Sequence, residues 1–106
     1  MLPKKDRLAK KEIEAIKSRN LPVIQGQYFG LIFQPVEGEQ KFGLIVSARV
    51  AKKAVSRNRV KRRLFWAIKK TCPTKEGWFL FLAKKASLEG TVEDFSKELL
   101  FFEKKI

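Results

Sequence analysis

The chain has 106 residues, enough for one domain with one modest core, and its 44% hydrophobic content with nine Phe can fill that core rather than leave the chain disordered. The 24 Lys and Arg outweigh the 11 Asp and Glu, a formal charge of +13 that favours a polyanionic partner, either nucleic acid or an anionic membrane surface. One cysteine, Cys72, and no histidine exclude an intrachain disulfide and a clustered zinc site.

The start Met1-Leu2-Pro3-Lys4-Lys5 leads into charged residues, so no signal peptide is expected, and no stretch is apolar enough to cross a bilayer. A soluble cytoplasmic protein is expected, with no membrane partner and no small-molecule substrate. Lys4 to Ser18 reads as a first helix with a weak apolar stripe of Leu8, Ile13 and Ile16, stopped by Asn20-Leu21-Pro22. Val23 to Val36 reads as extended, with Gly26 and Gly30 marking bends or a bulge. Alternation sends Phe29, Leu31 and Phe33 to one face and Tyr28, Gly30 and Ile32 to the other; aromatics on an open sheet face could stack single-stranded RNA, with core packing the expected role for at least half of them.

Glu37-Gly38-Glu39 reads as a hairpin turn, making Lys41 to Val50 the partner strand. Its run of Phe42, Leu44, Ile45 and Val46 suits a central strand buried on both faces. Ala54 to Thr71 reads as a second helix, with Val60, Leu64, Ala67, Ile68 and Thr71 on one apolar arc and Arg59, Arg62, Arg63, Lys69 and Lys70 off it. Trp78 to Ala83 is a short apolar run, hence a buried strand. Thr91 opens a last helix through a capping box with Asp94, and Val92, Phe95, Leu99, Phe102 and Ile106 form its core stripe. The order predicts an α+β fold, a single sheet covered by helices, with residues 1–106 forming one domain.

The charge is not spread evenly. From Gln40 to Lys75 there are twelve Lys or Arg and no Asp or Glu. Its densest part runs Ala51-Lys52-Lys53-Ala54-Val55-Ser56-Arg57-Asn58-Arg59-Val60-Lys61-Arg62-Arg63, a helix start followed by cations. Arg grips phosphate bidentately, Lys adds point charge, and Asn58 can read a base edge or a 2′-hydroxyl. A face serving solubility alone would carry Glu partners at helical spacing, and this one has none. The basic stretch also lacks the His and carboxylates with which a protein nuclease would act by itself. Helix-turn-helix recognition of DNA would need a helix pair, whereas here the basic helix follows a strand. By helical angle Trp66 lies among Arg59, Arg62, Arg63 and Lys70, and neither Phe65 nor Trp66 sits squarely on the apolar arc. Each reads as either a base-stacking platform or packing against a neighbouring element.

The run from Val46 through Ala54-Val55, Arg57-Asn58-Arg59 and Lys61-Arg62 resembles the signature of the bacterial ribonuclease P protein family. The resemblance implies an α-β-β-β-α-β-α order with a left-handed βαβ crossover. It implies RNA contacts by Arg49, Lys52, Lys53, Arg57, Asn58, Arg59, Lys61, Arg62 and Arg63 with a catalytic RNA subunit. It also implies a cleft between the basic helix and the sheet for the 5′ leader of precursor tRNA, with Ile13, Tyr28, Phe33, Phe65, Trp66 and Lys84 as candidate leader contacts. Catalysis and its Mg2+ would belong to the RNA, with no catalytic or metal-binding residue on this chain. The sequence departs from the family pattern at Ala48-Arg49, where Lys-Lys is usual, at Ala51 for Gly, at Ile13 for a first-helix Phe, and at Phe65-Trp66. A ribosomal or other structural RNA-binding protein is the alternative that composition allows equally.

Overall fold

The computed structural model describes residues 2–106. The first helix is shorter than its sequence pattern. Lys4–Asp6 forms one 3₁₀ turn, and α1 runs over Lys10–Ser18. Between them Arg7 bridges to Phe42 in parallel, and the Leu8 N–H donates to the Phe42 carbonyl at 2.9 Å. A neighbouring strand edge thus competes for the backbone groups that a continuous helix would use. The Ala9 N–H donates to Glu12 Oε1 at 2.7 Å and restarts the helix.

The extended segment divides into β1 (Ile24–Gln25) and β2 (Phe29–Pro35), followed by β3 (Gln40–Ile45), α2 (Ala54–Thr71), β4 (Gly77–Ala83) and α3 (Val92–Lys105). Gly26 marks the bend between β1 and β2, whereas Gly30 lies in regular strand opposite Leu82. The strand order is β1-β2-β4-β3, with β4 antiparallel to β2 and parallel to β3. This corrects the hairpin expectation. The turn at Gly38 exists, with φ of 78°, but β2 and β3 flank β4 instead of pairing with each other. It also corrects the placement of β3, which ends at Ile45 and lies at the sheet edge. The physical reason is composition. β4 is Gly-Trp-Phe-Leu-Phe-Leu-Ala and suits burial on both faces, whereas β3 begins with Gln40 and Lys41.

The two faces carry different layers. Phe29, Leu31, Phe42, Phe79 and Phe81 join Val60, Leu64, Phe65, Ala67 and Ile68 of α2 and Phe95, Leu99 and Phe102 of α3 in the main core. Phe79 is its hub, its ring centroid 4.9 Å from those of both Phe33 and Phe42. On the opposite face Ile32 and Leu80 meet Leu8 and Ile16, with Ile13, Ile45, Trp78 and Leu82 around them. Phe29, Leu31 and Phe33 do share a face, but it is the covered one. Tyr28 precedes the strand and departs from the alternation, its ring tilted against Phe95 at 5.5 Å.

One polar interaction fixes the bend between β1 and β2. Glu98 of α3 is buried, and its carboxylate accepts from the backbone N–H groups of Gln27, of Tyr28 at 3.0 Å and of Phe29 at 2.8 Å. Lys84 Nζ donates to the neighbouring Gly26 carbonyl at 2.6 Å. A Cβ at Gly26 would lie 2.5 Å from Glu98 Cδ, so glycine is needed for the carboxylate's approach. Glu98→Ala would leave three adjacent donors unmatched, and urea denaturation should show a loss of about 3 kcal/mol or more.

Two half-buried carboxylates give acid sensitivity. Asp94 is held below its ordinary range, chiefly by the Thr91 N–H against some opposing burial, with the Thr91 hydroxyl, Lys97 and Tyr28 adding to it. Burial pushes the Glu12 carboxyl up, but the Ala9 N–H and the Lys41 ammonium outweigh that and leave it lowered. Both contributions are complete above the ordinary carboxylate values and are lost as pH falls through the lowered ones. Thermal midpoints measured from pH 6 down to pH 2 should fall in this window, and less steeply in Asp94→Asn, which titrates one group fewer.

Candidate nucleic-acid interface

α2 forms over the full span that its periodicity predicts because one arc of its surface can be buried. Val60, Leu64, Phe65, Ala67 and Ile68 reach the core, each aliphatic or aromatic side chain contributing about 1.5–3 kcal/mol. Its first turn contains no acid, its N-cap Lys53 makes no side-chain cap bond, and Cys72 ends it in the left-handed region at φ 47°. The cations crowding its N-terminus oppose the helix dipole, and an anion placed there would relieve both the dipole and the mutual repulsion.

The outward arc carries Val55, Asn58, Arg59, Arg62, Trp66, Lys69 and Lys70, all exposed. These residues span about 22 Å along the axis at 1.5 Å per residue. Arg49, Lys52 and Lys53 are also exposed, in the loop just before the helix. Arg57 holds that loop in place, with Nη1 donating to the carbonyls of Ala51 and Lys52 at 2.9 Å each. Its guanidinium therefore shapes the ridge on which its neighbours stand. Arg63 faces sideways and donates to the carbonyls of Leu88 and Gly90 at 3.3 and 3.2 Å, tying α2 to the segment before α3. Lys61 is half-buried, its Nζ 5.7 Å from the Phe65 ring centroid.

The candidate leader contacts do not converge. Most of the interface between α2 and the sheet is filled, by Phe42, Phe79, Leu64 and Phe65. A small groove opens where α2 meets the β3 edge, lined by Arg7, Leu8, Ile13, Gly43, Lys61 and Phe65. It brings together Ile13, Phe65 and Lys61. Phe65 is 2% exposed and lies in the main core with Phe42 of β3, the packing alternative of its two readings. Phe33 packs on Phe79 in the covered layer, and Tyr28 and Lys84 stand at the Gly26 bend. Trp66 is alone on the outer face of α2, with 59% of its surface exposed. Among the described residues no three His, Cys, Asp or Glu side chains gather as a metal site.

A strand, a loop and a helix thus present an acid-free ridge with Arg57-Asn58-Arg59 at its head. A family model described as Ribonuclease P matches residues 2–106. The chain belongs to the ribonuclease P protein family. A curated ribonuclease P protein component of Microcystis aeruginosa is 36% identical over 64 residues, covering 58% of this chain and 53% of that protein. One from Synechococcus is 39% identical over 64 residues, covering 55% and 48%. The chain spans about half the length of these curated relatives. The fold is similar to the ribonuclease P protein of Thermotoga maritima, with a TM-score of 0.77 at 20% identity over 94% of this chain and 96% of that one.

The different settings of the arginines separate two kinds of variant. Arg59→Ala and Arg62→Ala should leave the thermal midpoint within about 1 °C, because each side chain is exposed. Each should lower the slope of log affinity against log salt for RNA by about 0.7–0.9. Arg63→Ala should lower the midpoint by several degrees, because it releases two carbonyls between α2 and α3. Thermal melts together with salt-dependent filter binding measure both.

Proposed function

We propose that this chain is the protein subunit of ribonuclease P, binding the catalytic RNA through the outer face of α2 and assisting 5′ maturation of precursor tRNA. The observation that carries the reading is the ridge from Arg49 to Arg62. It displays cations and Asn58 with no carboxylate, behind a loop shaped by Arg57. A rigid row of this kind meets several phosphates at once, releases their counterions, and gives strong, salt-sensitive binding.

Arg59 and Arg62 would clamp phosphates of the RNA subunit, and Asn58 would supply a directional contact beside them. The groove where α2 meets the β3 edge, with Ile13 and Lys61, is the better seat for a single-stranded leader than the filled part of the α2–sheet interface. There the cations Arg7 and Lys61 stand beside Ile13. Tyr28, Phe33 and Lys84 would then act at most through the bend and the core that they pack. Bond cleavage and its Mg2+ belong in this reading to the RNA. The protein raises substrate affinity and lowers the Mg2+ needed, by supplying positive charge where phosphates crowd. The cytoplasm, where tRNA is processed in bacteria, is the expected compartment.

The test is cleavage of precursor tRNA by the cognate catalytic RNA at low Mg2+, with and without the protein. Stimulation of at least tenfold is expected, and Arg59→Ala combined with Arg62→Ala should abolish most of it while the protein stays folded. Tight RNA binding without stimulation would instead favour a structural RNA-binding role.

A further inference from the structure

We infer that Trp66 is a stacking platform for one unpaired nucleobase of an RNA strand whose phosphates lie on the cations of α2. The inference rests on the RNA-binding reading above and adds a second mode of contact to it. Trp66 lies one helical turn beyond Arg62 and one turn before Lys69 and Lys70, in the middle of the outward arc. The residue is 59% exposed, while the core-facing arc of the same helix is sealed. Lys69 Nζ stands 5.5 Å from the ring centroid. Val92 of α3 completes a shallow apolar depression with Trp66, Lys69 and Lys70. A flat aromatic surface is thus framed by ammonium groups, with Arg59 and Arg62 on the same arc.

Charge decides what covers it. The arc from Val55 to Lys70 carries cations and no acid, and the nearest carboxylate, Glu93, lies 3.9 Å from Lys70 at its edge. A second copy of this chain would bring two +13 surfaces together and be repelled. An apolar protein segment would leave the flanking cations unmatched. A single-stranded nucleotide matches both parts, since its base covers the indole and its phosphates neutralise Lys69, Lys70 and Arg62. A paired duplex offers phosphates but no free base face, so the platform discriminates unpaired from paired RNA.

The test uses the full chain carrying Trp78→Phe. The Trp78 indole N–H has no hydrogen-bond partner among the described residues, so Trp78→Phe breaks no hydrogen bond and keeps an aromatic ring against the core, and Trp66 becomes the sole indole fluorophore. This protein is titrated separately with the cognate catalytic RNA, precursor tRNA, a single-stranded oligo(A) and a fully paired RNA duplex. Stacking predicts quenching of Trp66 and protection from acrylamide by oligo(A) and by one of the two large RNAs, which identifies the natural strand, and neither effect with the duplex. Trp66→Ala should weaken binding of the quenching RNAs about 5- to 150-fold with an unchanged salt slope, and Trp66→Phe should restore most of it. RNA binding with Trp66 emission and accessibility unchanged, or equal quenching by the duplex, would overturn the platform. So would quenching that rises with protein concentration alone, which would place a second copy on the indole. Stacking without stimulation of precursor-tRNA cleavage would leave the platform standing and remove the ribonuclease P reading, and failure to bind any RNA would remove both.

Discussion

α2 carries seven cations and no anion in eighteen residues, and the burial of one arc must hold it against its own repulsion. An isolated helix of this composition would gain nothing from pairs at helical spacing and would lose from several like-charged ones. Val60, Leu64, Phe65, Ala67 and Ile68 offset that by packing under a face of the sheet lined with Phe. The aromatic richness of the core and the basic richness of the surface are thus linked. A weaker core would not keep so many like charges fixed in one row.

The same division explains which arginines are free. Those on the apolar flanks, Arg57 and Arg63, find carbonyls within reach and become struts. Those opposite the core, Arg59 and Arg62, stand exposed. Signature residues therefore divide, some shaping the ridge and others standing exposed on it. A neutral substitution in the first group disturbs the second through the backbone.

Much of this was readable in the order of residues. The span of α2 follows from a 3.6-residue period between Lys53 and Cys72-Pro73, and the start of α3 follows from Thr91 and Asp94, whose reciprocal bonds form at 3.1 and 3.0 Å. Signals of this kind are local. The errors fall where distant segments compete. The Leu8 N–H leaves the first helix for the Phe42 carbonyl, and β4 takes the place beside β2 that adjacency assigned to β3. Glu98 carried no signal in the sequence, because the backbone donors that it meets, Gln27 to Phe29, lie some seventy residues earlier. For the candidate interface, residue types and charge run were plain, whereas the assignment of each Arg to strut or contact needed the carbonyls in place.

The insertion of β4 between β2 and β3 has a consequence for biosynthesis. A chain that emerges N-terminus first presents Phe29–Pro35 and Gln40–Ile45 long before Gly77–Ala83 exists to join them. During that interval β2 has β1 beside it and β3 has Arg7, but the edge that each turns to β4 stays unpaired, next to Phe and Leu side chains. The sheet therefore closes late, through contacts separated by much of the chain, a topology that favours slow folding. A nascent chain in this state depends on its high charge to stay apart from its copies. The positive surplus that suits a polyanion thus also acts on the chain while it is being made.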